Sequence, residues 1–548
     1  MAETPVKNLK EKTVSGVLWT FGERILAQLV SFVVSIVLAR LLAPEIFGTV
    51  ALLLSLISIA NIFVSGGLGL SLIQKKDVDE LDYASVHYIG LLIAIVIYLV
   101  VFFLAPLIAN AYGNADLVWM IRVLAIKLPL ASLATVQQAK ITRKMQFKKF
   151  FWVTFIGTVI SGIVGIALAY AGFGAWALIA QYLTNSVIDL IALGIAIRWW
   201  PKFKVSIKRF AVLFKFGWKL LASGLLDVVY RESRALIMGL KYSAADLSYY
   251  NKGQHLPSLI SNNTTGPINS VLLAAMSKFQ NDKVKLKDAT RRSVRVCSYV
   301  VWPCMAGIAA IAVQFVNVFL TPVWLPCVPY IYIACFSFAL YPIHTANLTA
   351  IQAIGRSDVY LKLEIVKKIV GFSLIAITMW FGVFWLAFSM VISGIISVII
   401  NTFPSKKLLD YGLGEQLKDM LPSFLLALAM GVPVFLMQYI PINQILLLVL
   451  QVIVGFGLYI ALSAITKNKE FYFILDCVKK FFKKKPAEVA VEEQPVVAVE
   501  TAEIVDTDNA LIETNKQVEE ISEEKNENEI SKSDHIEIET NKNDNDEN

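Results

Sequence analysis

Residues 221–240 read LASGLLDVVYRESRALIMGL. Most of the stretch is apolar, as a bilayer span is, yet Asp227, Arg231, Glu232 and Arg234 sit near its middle. A charge at mid-bilayer costs from about 2.5 kcal/mol upward, so it has to face protein or water. A span carrying four charges therefore runs beside a cavity or a neighbouring helix. Positions 227, 231 and 234 follow i, i+4, i+7 spacing and share a face. Asp227 can pair with Arg231 one turn on, which leaves Arg234 without a partner on that stripe. Glu232 points about 100° away from Arg231, toward a neighbouring helix or toward Arg24.

Similar apolar runs recur on both sides of this one, each near or above the roughly 20 residues that cross a bilayer. They predict an all-α integral membrane protein with fourteen transmembrane helices. The approximate spans are 13–38, 46–73, 85–110, 117–138, 150–171, 174–197, 211–240, 253–276, 292–318, 328–352, 362–381, 383–403, 421–439 and 442–466. The first run is too long for a cleaved signal peptide. The mean hydropathy of +0.63 conceals a second composition. From Pro486 to Asn548 there are 20 acidic and 4 basic residues, which leaves 46 basic and 22 acidic for the remainder.

Charge sets the orientation. Loops such as KITRKMQFKK, RWWPKFKVSIKRF and SKFQNDKVKLKDATRRSVR are strongly basic, as are the chain ends. The alternate loops carry only Arg40, Lys241 and Lys252. Basic loops stay on the cytoplasmic side. Both termini are therefore expected inside a bacterial cytoplasmic membrane, and the helix number is even.

The two halves echo each other. ARLLAPEIFGTV (39–50) and GLKYSAADLSYY (239–250) each close one helix and open the next, 200 residues apart; GFGAWAL (172–178) and WFGVFWL (380–386) form a second pair. Six helices per unit make the repeats parallel, about an axis along the membrane normal. The expected organisation is an N-terminal lobe over 1–200 and a C-terminal lobe over 201–410. Two extra helices over 411–466 follow, then a basic amphipathic interfacial helix over 467–485 and an acidic disordered tail over 486–548. In the interfacial helix, lysines flank an apolar face and suit anionic lipids. The tail is either a solvated appendage or a partner-binding segment.

The intramembrane basic residues are Arg24, Arg122, Lys127, Lys219, Arg231 and Arg234, against acidic Glu23, Asp189, Asp227 and Glu232. The surplus is positive. An arginine fork fits phosphate oxygens in a bidentate way. Arg24, Arg231 and Arg234 are thus candidate diphosphate ligands, and interhelical ion pairing is the competing reading. For Arg122 and Lys127, snorkelling or packing competes equally. HLPSLISNNTTGPINS (255–270) places prolines around Asn262 and Asn263, and broken polar helix lines cavities. YPIHTANLTAIQ (341–352) adds His344 and Asn347 as cavity polar groups. His344 is a candidate for proton coupling, with hydrogen-bonded packing the commoner role. No phosphate-binding Walker loop, GxSxG or HExxH occurs. The five cysteines lack metal-site spacing. No cofactor, metal or nucleic acid is expected.

LARLLAPEIFGTVALL, GGLGLSLIQKKD (66–77), QQAKITRKMQFKK (137–149), GFGAWALIAQ (172–181) and the segment 325–368 together resemble the Wzx/polysaccharide-transporter branch of the multidrug and oligosaccharidyl-lipid exporter superfamily. The resemblance covers roughly residues 10–465. It implies a fold of two six-helix lobes, and export of undecaprenyl-diphosphate-linked oligosaccharide for surface polysaccharides. It also implies basic cavity residues on the diphosphate, with polysaccharide polymerases and glycosyltransferases as partners. TPVWLP (321–326) lacks the Glu-Lys pair common before that tryptophan. The alternatives are a drug or cation antiporter of the same fold, which would prefer an acidic cavity, and a membrane scaffold for a synthesis complex.

Overall fold

The computed structural model describes residues 26–483, except 66, 145, 278 and 281. Within them the chain is helical throughout, without strand. The first-half helices are α1 (Leu26–Leu41), α2 (Pro44–Ser65), α3 (Leu68–Gln74), α4 (Glu80–Ala111), α5 (Leu117–Leu124), α6 (Lys127–Arg143), α7 (Phe147–Tyr170) and α8 (Ala175–Ile197). Then come α9 (Ile207–Lys241), α10 (Ala244–Ser277), α11 (Lys283–Phe315), α12 (Val328–Ala339), α13 (Tyr341–Ala353), α14 (Ser357–Thr378) and α15 (Val383–Leu409). The last three are α16 (Leu413–Leu436), α17 (Gln444–Ile465) and α18 (Lys469–Lys483). The acidic tail lies outside the described residues.

Sequence-local chemistry sets the helix starts. Pro44 opens α2, where its missing N–H is no loss. Asp79 and Asp82 form a reciprocal capping box on α4, each carboxylate accepting from the other's backbone N–H at 2.9 and 3.1 Å. Asp282 caps α11 and Asn443 caps α17.

Among the described residues, ten helical stretches are long and apolar enough to cross a membrane, so the chain is a multi-pass membrane protein. α9, α10 and α14 are not among the ten, although each is long. Charged and amide side chains interrupt their apolar runs.

Three predicted spans prove to be interrupted, and a fourth changes its winding at one end. Span 46–73 divides into α2 and α3 at Gly67, whose φ of +83° a side chain would strain. Span 117–138 divides into α5 and α6, and 328–352 into α12 and α13. Span 292–318 ends in a π-turn over Val316–Leu320. Conversely, the prolines and amides of 253–276 predict a broken helix, and the segment runs unbroken within α10. Its polar side chains fold back on their own helix: Asn263 Nδ2 donates to Leu259 O and Thr264 Oγ1 to Ile260 O, both at 2.8 Å. Such back-bonding satisfies the side chains without unwinding the backbone.

Within the first half α7 packs on α8, and α6 on α4 and α8; within the second α11 packs on α16, and α12 on α10 and α15. The halves meet where α2 lies against both α9 and α10. Lipid tails are as apolar as the side chains, so close helix contact here depends on small residues. Gly48 is the tightest case: a Cβ there would lie 1.6 Å from the Ala244 carbonyl oxygen. Gly48→Ala gains about 1 kcal/mol of helix propensity, but the clash costs about 1–3 kcal/mol and is against backbone, which cannot rotate away. A lowered thermal midpoint in detergent is expected, and a raised one would show that α2 and α10 do not touch here.

Candidate substrate-binding site

The charged turns of α9 face three different partners. Asp227 accepts from Lys368 Nζ on α14 at 2.5 Å, so the expected Asp227–Arg231 pair is replaced by a pair between helices. Arg231 instead bonds Glu232, Nε to Oε1 at 3.3 Å, and its side chain remains 63% exposed. Glu232 also accepts from Ser55 Oγ on α2 at 2.8 Å, which ties the second half to the first. The i, i+4 rule makes Asp227 and Arg231 neighbours but does not rank them against a lysine from a facing helix. Lys368 is 12% exposed and its ammonium gains more from a carboxylate than Arg231 does.

Arg234 turns the other way. It is 6% exposed, donates from Nε to Ser389 Oγ on α15 at 3.2 Å, and lies 5.5 Å from the Tyr230 ring centroid. Its Nη2 has no hydrogen-bond partner among the described residues. Arg234 is therefore packed between α9 and α15, while Arg231 is presented. Lys367 pairs with Glu364 within α14. Sequence reasoning places both lysines at the start of the span 362–381 but counts GRSDVYLKLEIVKK with the basic cytoplasmic segments, and so misses their pairing. The available signal is the apolar run after Lys368, which lets the helix begin at Ser357.

The other candidates disperse. Arg122 lies over the rings of Phe102 and Trp119, 4.1 and 5.1 Å from their centroids, and donates to Phe102 O. That is aromatic packing, not a shared site with Arg231. Lys127 lies 5.5 Å over Tyr182 and interacts with Asp189 as an opposite charge. Asp189 packs against Gly157, where an added Cβ would meet Oδ1 at 2.1 Å, so this pair is internal to α6, α7 and α8. Asn347 is fully buried and exchanges two hydrogen bonds with Gln416 of α16, at 2.8 and 3.0 Å. His344 Nδ1 lies 3.2 Å from Asn401 Nδ2. Asn263 donates to Gln28 of α1, and Asn262 is exposed. Glu23 and Arg24 lie outside the described residues, and the Lys219 side chain is likewise not described.

Two clusters that sequence reasoning does not anticipate close the ends of the bundle. At the end poor in basic loops, Arg40 donates from Nε to Phe319 O at 2.9 Å and from Nη2 to Val318 O. Trp324 Nε1 donates to Ala39 O at 2.9 Å. Lys252 donates to Ser35 Oγ at 2.7 Å and covers the Phe47 and Trp324 rings. Two of the residues that break the charge rule are thus cross-links between α1–α2 and the second half. At the basic end Arg209 of α9 pairs with Asp79 and Asp82, and Lys140 with Glu80 at 2.8 Å. The Asp82 backbone N–H foremost, and then Arg209, hold the Asp79 carboxyl below its ordinary value.

A family model described as "Polysaccharide biosynthesis protein" matches residues 37–329. The succinoglycan biosynthesis transport protein ExoT of Rhizobium meliloti (strain 1021) is 25% identical over 56% of this chain and 62% of its own length. The chain thus matches less than two thirds of that relative. The lipopolysaccharide biosynthesis protein WzxC of Escherichia coli (strain K12) is 22% identical over 79% of this chain and 88% of its own. Among solved structures, the lipid II flippase MurJ in an inward closed conformation superposes with a TM-score of 0.68 at 17% identity, covering 83% of this chain and 98% of that one. That likeness establishes a shared fold. With more than half of its length under the family model, the chain belongs to the polysaccharide biosynthesis protein family.

Proposed function

We propose that the chain is a flippase that exports a polyprenyl-diphosphate-linked oligosaccharide across the bacterial cytoplasmic membrane, for surface polysaccharide synthesis. The observation that carries this reading is the exposed Arg231, held beside Glu232 and next to the Asp227–Lys368 pair within a membrane bundle. In a family named for polysaccharide biosynthesis, a presented guanidinium inside the membrane suits the diphosphate of a lipid carrier. The relatives' transport and lipopolysaccharide names point the same way.

In this reading α1, α9, α10 and α14 complete fourteen spans: α1 is apolar but short over its described residues, and α9, α10 and α14 are polar where they face the cavity. Two six-helix lobes over 1–200 and 201–410, related by an axis along the membrane normal, rock against each other. Arg231, Lys368 and Arg24 hold the diphosphate, and the polyprenyl tail stays in lipid. The cross-links at the Arg40–Trp324 end and at the Arg209–Asp79 end open in alternation. Outward movement of negative charge gains about 2.3 kcal/mol per charge per 100 mV. The lysines of α18 rest on anionic lipid, and the polymerase and glycosyltransferases act before and after the flip.

Arg231→Ala is expected to cut surface polysaccharide about tenfold or more at equal protein abundance, from loss of a charged hydrogen bond worth about 1.5–3 kcal/mol. Lys368→Ala frees Asp227 and reduces export further. Normal export from both variants would overturn the headgroup site.

A further inference from the structure

A cavity of about 400 Å³ lies between the end of α11 and the turn joining α16 to α17. Its wall carries four amides, Gln314, Asn317, Gln438 and Gln444, with Tyr439 beside them, and no charged residue. Gln314 is 5% exposed and its Oε1 meets no hydrogen-bond donor among the described residues. The Asn317 and Gln438 side chains are half-buried and Gln444 is exposed. A buried amide is ordinarily satisfied. Gln314 Oε1 is therefore not explained by packing, and Asn317, Gln438 and Gln444 bring three further amides to the same cavity.

The scaffold holds them in place. The π-turn Val316–Leu320 carries Asn317 three residues beyond Gln314, on the same side of the helix, and Arg40 fixes that turn through two of its carbonyls. Across the cavity, Gln438 and Tyr439 lie in a 3-10 turn, and Gln444 starts α17 behind its Asn443 cap. This end is remote from the basic loops: the turn 437–443 contains no Lys or Arg.

We propose that this cavity is a subsite for a neutral saccharide, at the end where the exported sugar emerges. Each amide offers a donor and an acceptor together, which matches a hydroxyl group that is both. The uncharged wall suits a neutral ring. Tyr439, 74% exposed, offers an aromatic face and a hydroxyl to a sugar. The volume falls within the roughly 300–1,000 Å³ of ligand pockets. The source of the sugar rests on the flippase reading; the chemistry of the cavity does not.

The test uses the full chain in nanodiscs. The probe is the host's own oligosaccharide, released from its lipid diphosphate by mild acid. Saturation-transfer NMR is expected to show transfer onto sugar protons. The signal should fall about fivefold or more in the Gln438→Leu/Gln444→Leu double variant, and in Tyr439→Ala, from loss of two hydrogen bonds or of the ring. No transfer in the parent chain, or transfer equal to the parent's in both cavity variants, overturns the subsite. Transfer at this cavity together with normal export from Arg231→Ala and Lys368→Ala would instead leave the subsite and remove the diphosphate reading, so the two failures are distinguishable.

Discussion

Trp324→Ala is expected to lower stability by about 3–5 kcal/mol, the usual cost of emptying a buried tryptophan site. The residue is 1% exposed. Its ring stands edge-on to Phe47 at 5.4 Å and to Tyr249 at 6.1 Å, and its indole N–H holds the Ala39 carbonyl. Truncation removes the ring from the contact between halves and orphans that carbonyl. Lys252, which lies over the same ring, loses part of its aromatic cover. Trp324→Phe separates the two contributions: it keeps the aromatic packing and loses only the donor, for about 1–3 kcal/mol. The order of thermal midpoints should be parent, Phe, Ala. If Phe and Ala fall equally, the hydrogen bond is the whole effect. If neither falls, Trp324 does not join the halves. A labelling reagent confined to the outside should also reach a cysteine placed at Ser35 faster in Trp324→Ala, because the same contact closes that end.

The features legible in the sequence are those that a single segment determines. Apolar length implies a multi-pass helical protein, and basic loops imply an alternation whose exceptions, Arg40 and Lys252, are cross-links. A lone arginine at a helix end, among loops that otherwise carry only Lys241 and Lys252, is a signal that a charge count passes over. The i, i+4, i+7 stripe does lie on one helix, α9, but its partners are not legible, because Lys368 lies 141 positions from Asp227. Local spacing ranks local neighbours only. Arg234 reads as the unsatisfied charge on the stripe, yet Ser389 and Tyr230 enclose it.

Helix continuity is misread in both directions, and for one reason. Proline and amides in α10 suggest a break, while the apolar run through Gly67 suggests a continuous helix. Backbone hydrogen bonding decides both. Asn263 and Thr264 bond carbonyls of their own helix and leave it whole. At Gly67 the backbone enters a positive φ beneath Gly217, where a Cβ would lie 2.3 Å from the Gly217 carbonyl oxygen. Only a residue without a side chain permits that approach, and the GGLGL in the sequence is the available sign.

Asp419→Ala is expected to lower stability by about 3 kcal/mol without lowering export per molecule. The carboxylate is 2% exposed and accepts from three residues: Arg291 Nε at 2.7 Å, Arg295 Nε at 2.9 Å and also its Nη2, and Tyr411 Oη at 2.8 Å. Removing one member of a buried pair costs about 3–5 kcal/mol when the partner stays buried. Here the two guanidiniums are 38% and 36% exposed and can turn to water, which places the cost at the low end. Tyr411, fully buried, cannot, and its hydroxyl is left without an acceptor. Asp419→Asn keeps an acceptor for Tyr411 and should fall between. These bonds clamp α16 to α11. The clamp is far in sequence from Arg231 and shares no partner with it, so the two effects should be independent. Asp419→Ala should then reduce protein abundance and midpoint while the surviving protein exports normally. Arg231→Ala should do the reverse. Loss of export at unchanged abundance in Asp419→Ala would place α16 in the transport cycle itself and end its reading as an attached support.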